Sequence, residues 1–174
     1  MPVQPHSPLL RALQAADLDR LMDLQRAAYG PHFLEPAPVL ARRLAVAPDT
    51  AWVLEDRPGL CAYLVAYRSR LGRVTPLHAV FEPAPDADTL YLHDLAVHPA
   101  AAGQGLGPRL VAHALAQARA QGLGFAALVA VQGSQAFWGR QGFSAGCVAA
   151  EAVPALHSYG PQAAYMVHPL QAPG

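Results

Sequence analysis

Apolar and polar positions along this chain alternate with two different periods, and the switches between them mark its elements. Leu9 to Leu13 opens as a strand. From Asp17 to Tyr29, Leu18, Leu21, Met22 and Gln25 recur at helical spacing, and Asp17 stands where an N-cap belongs. Gly30-Pro31 stops that helix, and Pro38 predicts the start of a shorter one that Pro48 ends. Thr50 to Glu55 and Leu60 to Arg68 read as a hairpin across Asp56-Arg-Pro-Gly59. Pro76 to Asp88, with Pro76, Pro83 and Pro85, reads as a loop.

The second half is more regular. Thr89 to Val97 predicts a strand that Pro99 ends. Leu106, Leu110, Val111, Ala114, Leu115 and Ala118 then keep helical spacing up to Gln121. Gly124 to Val131 is a near-continuous apolar run, the mark of a central strand buried on both faces. Ser134 is placed to cap a short helix to Arg140. Phe143 to Ala150 and Ala163 to His168 predict the last strands. No repeat or linker divides the chain, and the tail from Gln171 to Gly174 is expected to fray.

Composition narrows the classes. A length of 174 residues predicts one domain spanning 1–174, and a hydrophobic content of 53% is enough for a core. No apolar run approaches the ~20 residues of a membrane span, so no membrane partner is expected. The opening Met1-Pro-Val-Gln-Pro-His-Ser7 lacks the charged-then-apolar layout of a signal peptide. With only two distant cysteines, Cys61 and Cys147, a cytoplasmic protein with reduced thiols is expected. The formal net charge of zero gives no general attraction to nucleic acid. Every basic residue is arginine, which excludes lysine Schiff-base chemistry. His6, His32, His78, His98, His113, His157 and His168 show no metal-ligand spacing with cysteines or acids, so no metal is expected.

Candidate chemistry concentrates between strand 89–97 and the helix after it. Gly103, Gly105 and Gly107 alternate there. Glycines let a ligand approach the backbone, and the helix start adds free N–H groups and a positive dipole end, so the segment predicts a phosphate seat. A nucleoside-triphosphate loop would need Lys and Ser/Thr after the last glycine, but Pro108 and Arg109 follow. A dinucleotide loop would need G-x-G-x-x-G and a later acid, but the spacing is G-x-G-x-G, with no Asp or Glu between Asp94 and Glu151. Between Gly103 and Ala150 the only formal charges are Arg109, Arg119 and Arg140, a locally cationic half that suits a polyanion.

The segment Ala102-Gly103-Gln104-Gly105-Leu106-Gly107 resembles the cofactor loop of the GNAT superfamily of N-acetyltransferases, Arg/Gln-x-x-Gly-x-Gly/Ala. It departs at Ala102, where weaker cofactor affinity is expected. Ser134-Gln-Ala-Phe-Trp-Gly-Arg-Gln-Gly-Phe143 resembles the family's second segment, Phe-Tyr-x-x-x-Gly-Phe. The resemblance implies an α/β (α+β) fold: a mixed, mostly antiparallel sheet flanked by helices, with acetyl-CoA as co-substrate where two central strands splay apart. It implies cofactor contacts at Leu95, Ala96, Val97, Ala102, Gly103, Gln104, Gly105, Leu106, Gly107, Pro108, Ser134, Phe137 and Trp138. Family members often form homodimers, and that expectation carries over.

His93 is the first candidate for the base that takes the amine proton. An imidazole suits neutral pH, and strict alternation would put His93 on one strand face with Leu95 and Val97. Tyr91-Leu-His-Asp-Leu-Ala-Val-His98 also resembles arylalkylamine N-acetyltransferases, which carry a His at the position of His93, a second one where Tyr91 stands, and a Pro at the position of Pro108. Asp94 would point to the opposite face, in a structural role, unless a bulge intervenes. Trp138 stands where many family members place the Tyr that protonates the thiolate. An indole N–H gives up no proton, so either another group is the acid, with Tyr159 and Tyr165 as candidates and Tyr91 as a third, or the thiolate leaves with none. By the resemblance, the acceptor site draws on Tyr29-Gly-Pro-His-Phe-Leu-Glu35 and His157-Ser-Tyr159-Gly-Pro-Gln. The expected reaction is direct acetyl transfer to the amine of a small molecule. A non-catalytic acetyl-CoA-binding module, or acetylation of a protein N-terminus or side chain, are the alternatives.

Overall fold

The computed structural model describes residues 7–56 and 59–171. Among the described residues, seven strands form one sheet in the order β1-β2-β3-β4-β5-β7-β6. They are β1 Leu9–Ala12, β2 Ala51–Asp56, β3 Gly59–Ser69, β4 Thr89–Val97, β5 Phe125–Ala130, β6 Ser144–Ala145 and β7 Ala164–Pro169. The helices are α1 Leu18–Ala28, α2 Ala37–Val46, α3 Leu106–Ala120, α4 Gln135–Arg140 and α5 Val153–His157. Every strand pair is antiparallel except β4 with β5. The expected mixed, mostly antiparallel sheet flanked by helices is therefore the observed fold.

Pleating sorts the apolar residues into two layers. On one face Leu110, Val111, Ala114 and Ala118 of α3 pack on Leu64, Ala66, Leu90, Leu92 and Leu128. On the other, Leu21 and Leu24 of α1 and Leu40 and Leu44 of α2 cover Val53, Tyr63, Val65, Tyr67 and Tyr91. Helical spacing on the helices and alternation on the strands supply both contact surfaces.

Four local expectations need correction. Asp17 sits at the start of α1 but caps nothing there. Its carboxylate accepts from the Gln14 N–H (2.9 Å) and pairs with Arg11 and Arg20, tying β1 to α1. The hydroxyl of Ser134 makes no cap hydrogen bond to α4 either. The strand expected over 143–150 shrinks to Ser144–Ala145, because pairing with Val167 and Met166 of β7 is followed by a last bond from the Gly146 N–H to the Tyr165 carbonyl (3.0 Å) before the chain turns away toward α5. Two of the three arginines expected to face a polyanion hold chain segments instead: Arg109 donates to the Pro8 carbonyl (2.6 Å) and Arg119 to that of Leu170 (3.2 Å). The readings of the first six residues, and of the tail beyond residue 171, lie outside the described residues.

Two irregularities in β4 position everything that follows. The first is a bulge. Asp94 pairs with Val65 and the next pair is Leu92 with Ala66, so His93 has no partner across β3. The second is a fork. The parallel β4–β5 pairing is confined to Thr89–Phe125, Leu90–Ala126 and Tyr91–Ala127, after which the two strands separate while β4 continues to Val97.

Candidate functional site

The fork opens a cleft of about 220 Å³. Its walls include Leu92, His93, Asp94 and Leu95 of β4, Leu128 and Val129 of β5, and Ser134, Phe137 and Trp138 from α4 and the residue before it. Trp138 is buried and packs edge-on to Phe137 and Phe143, at centroid distances of 5.0 and 5.5 Å. Leu95 and Val97 pack toward the α3 layer, whereas Ala96 is buried on the α1–α2 side.

At the end of β4 the chain makes a short turn, on which the His98 ring accepts the Ala100 N–H, and then enters the glycine loop. Gly103 and Gly105 adopt left-handed backbone, with φ of 78° and 73°, and a methyl group at either would meet nothing within 4 Å. Among the described residues, no hydrogen bond engages the N–H groups of Gly103, Gln104 or Gly105, and no side chain caps α3. Gly107 serves a different purpose: a methyl there would come within 3.3 Å of the Phe137 ring, so glycine lets α3 and α4 meet beside the cleft. Leu106 points into the core, so only its backbone is available to a ligand. Exposed Pro108 occupies the first turn of α3, where its missing N–H costs no helical hydrogen bond. Ala102 and Gln104 are exposed. This loop offers an anion exposed backbone donors, open space and a helix N-terminus together.

The bulge re-aims His93. It does not share a face with Leu95 and Val97, as strict alternation would require. Its ring turns into the α1–α2 layer, 5.3 Å from the Phe81 ring and 6.4 Å from that of Tyr159. Asp94 points to the same side, because a bulge puts two successive side chains on one face.

A cluster of buried charge surrounds His93. Its Nε2 lies 2.7 Å from Oε1 of Glu35, and the Arg43 guanidinium lies 2.7 Å from the same oxygen. The side chains of His93, Glu35 and Arg43 are 2%, 4% and 0% exposed, so all three form one desolvated unit. Burial works against the Glu35 charge, but His93 and Arg43 outweigh it and hold the carboxyl at about 2. Arg43 also donates to the Ala79 carbonyl and lies over the Phe81 ring.

Asp94 has a separate set of partners. Tyr63 donates to its Oδ2 at 2.6 Å, and the Tyr29 hydroxyl lies 2.8 Å from its Oδ1. Burial pushes Asp94 above the ordinary carboxylate range, against the pull of Tyr63, His93 and Tyr29. Burial pushes both phenols well up, so they remain donors.

Both loops named as acceptor candidates reach this spot. A small cavity of about 40 Å³ is lined by Tyr29, Phe33 and Glu35 from the first and Tyr159 from the second, together with His93 and Asp94. Tyr159 donates to the Thr75 carbonyl at 2.6 Å, and burial raises its pKa. A larger cavity, about 360 Å³, lies beside Tyr67, Ser69 and Thr75 and holds none of the sequence candidates.

Sequence reasoning missed Arg43, and it saw Glu35 only as part of an acceptor loop. A signal existed for Arg43: it recurs with Leu40 and Leu44 at helical spacing, a charge on an apolar face. Nothing local signalled that Tyr29 and Tyr63 would meet at Asp94.

The model of the acetyltransferase (GNAT) family matches residues 18–143. No sequence among the curated proteins matches the chain. Several solved structures share the fold. The GphF GNAT-like decarboxylase in complex with isobutyryl-CoA superposes with a TM-score of 0.77 at 21% identity, covering 94% of this chain and 100% of its own. The loading GNATL domain of CurA from Lyngbya majuscula gives 0.76 at 15%, covering 95% and 99%. The ribosomal-protein-S18-alanine N-acetyltransferase from Escherichia coli gives 0.68 at 16%, covering 95% and 96%.

Proposed function

The chain belongs to the GNAT family of acetyltransferases, and from that premise we propose that it moves the acetyl group of acetyl-CoA directly to the amine of a small molecule. The observation that carries this reading is the fork. Its cleft is lined by His93 and Asp94 at the bulge of β4, the strand that runs on toward the glycine loop.

The donors fit the co-substrate. The free N–H groups of Gly103, Gln104 and Gly105, with the start of α3 at Leu106, Gly107 and Pro108, would hold its pyrophosphate. Ala102 contributes backbone only. The unpaired edge of β4 at Leu95, Ala96 and Val97 would hold its pantetheine arm, with Ser134, Phe137 and Trp138 opposite. When bound there, acetyl-CoA supplies an activated acyl group on a thiol leaving group.

The chain's own residues do the rest. His93 accepts the proton of the amine, directly or through water. A backbone N–H of β4 stabilises charge on the carbonyl oxygen. Cys61 and Cys147 lie outside the cleft lining, which fits transfer without an acyl-enzyme. Tyr159 is the candidate acid. Its raised pKa keeps it protonated but makes it a reluctant donor, and a thiol of ordinary pKa near ~8.5 leaves tolerably as thiolate. The small aromatic-lined cavity favours a compact amine over a folded protein chain.

The test is CoA release from acetyl-CoA, and from isobutyryl-CoA as a branched donor, against arylalkylamines, polyamines, amino acids and aminoglycosides. Turnover on one class supports the reading. Acetyl-CoA binding without turnover on any amine, or on N-terminal peptides, would replace it with a non-catalytic binding module.

A further inference from the structure

On the reading that His93 is the base, we infer that Glu35 is its positioning residue: it takes the Nε2 proton, leaves Nδ1 as the free acceptor of the ring, and is itself anchored by Arg43. What each group can donate decides the tautomer. Arg43 is donor-only and fully buried, so the carboxylate oxygen it contacts at 2.7 Å carries charge. An ionised carboxylate accepts and cannot donate. The nitrogen of His93 that sits 2.7 Å from the same oxygen must therefore carry a hydrogen. In the neutral ring the other nitrogen then holds the lone pair. That nitrogen, Nδ1, is buried and has no hydrogen-bond partner among the described residues.

The arrangement is held from three directions. Glu35 comes from the segment just before α2, and its backbone N–H is fixed by the buried Gln25 side chain (2.8 Å). Arg43 comes from α2 and is tied to the 70–88 loop through Ala79. Phe81 packs edge-on to His93 and lies under Arg43. The titratable and charged groups around the imidazole are Glu35, Arg43 on α2, His78 on the 70–88 loop (3.7 Å from Oε2 of Glu35), Tyr91 and Asp94 on β4, Tyr29 after α1, and Tyr159 after α5. Of these, Glu35 is the carboxylate in direct contact with the ring. The resulting order, cation to carboxylate to imidazole, selects one tautomer and stabilises the imidazolium that forms when a proton arrives.

The experiment is long-range proton–nitrogen correlation NMR of the histidine rings in the full chain. It compares wild type, Glu35→Gln and Glu35→Asp, with His93→Gln to assign the resonance. Wild type is expected to show His93 as a single Nε2–H tautomer at neutral pH. Glu35→Gln is expected to lose that single form, because a carboxamide can offer Nε2 a donor as readily as an acceptor. Glu35→Asp, which keeps the carboxylate, is expected to restore part of it, and it also serves if Glu35→Gln fails to fold. An Nδ1–H form in wild type, or an unchanged tautomer in Glu35→Gln, would overturn the proposal. With a turned-over amine in hand, Glu35→Gln should lower kcat/KM about tenfold or more, leaving the KM for acetyl-CoA in place. The ring spectra need no substrate. An enzyme silent on every amine would thus count against acetyl transfer while the spectra still decide the role of Glu35.

Discussion

The Tyr29 hydroxyl lies 2.8 Å from Oδ1 of Asp94 and 2.5 Å from the carbonyl oxygen of Leu95, so one phenol proton faces two acceptors. A proton on Asp94 resolves the conflict: Asp94 then donates to Tyr29, which donates to Leu95. The burial that raises the Asp94 pKa acts in the same direction. Asp94→Asn supplies that donor permanently while still accepting from Tyr63. It should match or exceed wild-type stability at neutral pH. Asp94→Ala, which leaves the buried Tyr63 hydroxyl without its acceptor while Tyr29 keeps the Leu95 carbonyl, should lose about 1–3 kcal/mol. Urea unfolding of the two variants checks this, and a less stable Asp94→Asn would argue for an ionised Asp94.

Gly105→Ala separates backbone strain from ligand contact. A left-handed alanine costs about 1–2 kcal/mol, and here a methyl group meets no protein atom. The expected result is that small loss in a denaturant melt, with a clear fall in CoA affinity by calorimetric titration. Unchanged CoA binding would mean that the phosphates sit elsewhere.

Acid should loosen this protein through identifiable carboxyls. Glu35 is held at about 2 against an ordinary 4.5, and Asp17 at about 2 against 3.8, the latter chiefly by its hydrogen bonds to Arg11. Both pKa values are depressed by folding. Their stabilisation is therefore present above pH 4.5 and lost as pH falls toward 2. Stability measured across that window should decline in wild type, and the decline should be shallower in Glu35→Gln.

Arg43→Met keeps the length of the side chain and removes its charge. Glu35 would keep His93 but lose its cation, and the Ala79 carbonyl would lose its donor. Breaking a buried pair from one side should cost about 3–5 kcal/mol. Thermal or urea unfolding would show it, and a near-neutral result would mean that water compensates the carboxylate.

Tyr159→Phe tests the acid. If the thiolate leaves unprotonated, the variant should lose far less than the ~100-fold a full general acid contributes. Its main deficit should then be the lost bond to Thr75, seen as a lower melting temperature. A hundredfold fall in kcat at unchanged stability would establish Tyr159 as the proton donor.

What the chain determined by itself was its local order. The limits of β4 at Thr89 and Val97, the glycine loop and α3 could be read directly, because alternation, helical spacing and glycine each act on neighbouring residues. The family resemblance of residues 102–107 and 134–143 was legible for the same reason. The β6 strand was overread because strand propensity at Phe143–Ala150 says nothing about how much of an edge a partner will cover. The chemistry at the site was decided by tertiary structure. Whether His93 faces Leu95 or Glu35 depends on one residue of register between β3 and β4, a pairing across the sheet that no local period encodes. The meeting of Glu35 and Arg43 with His93, like that of Tyr29 and Tyr63 with Asp94, joins residues tens of positions apart. Only packing two helices on one face of the sheet could bring them together, and only burial could make their charges count.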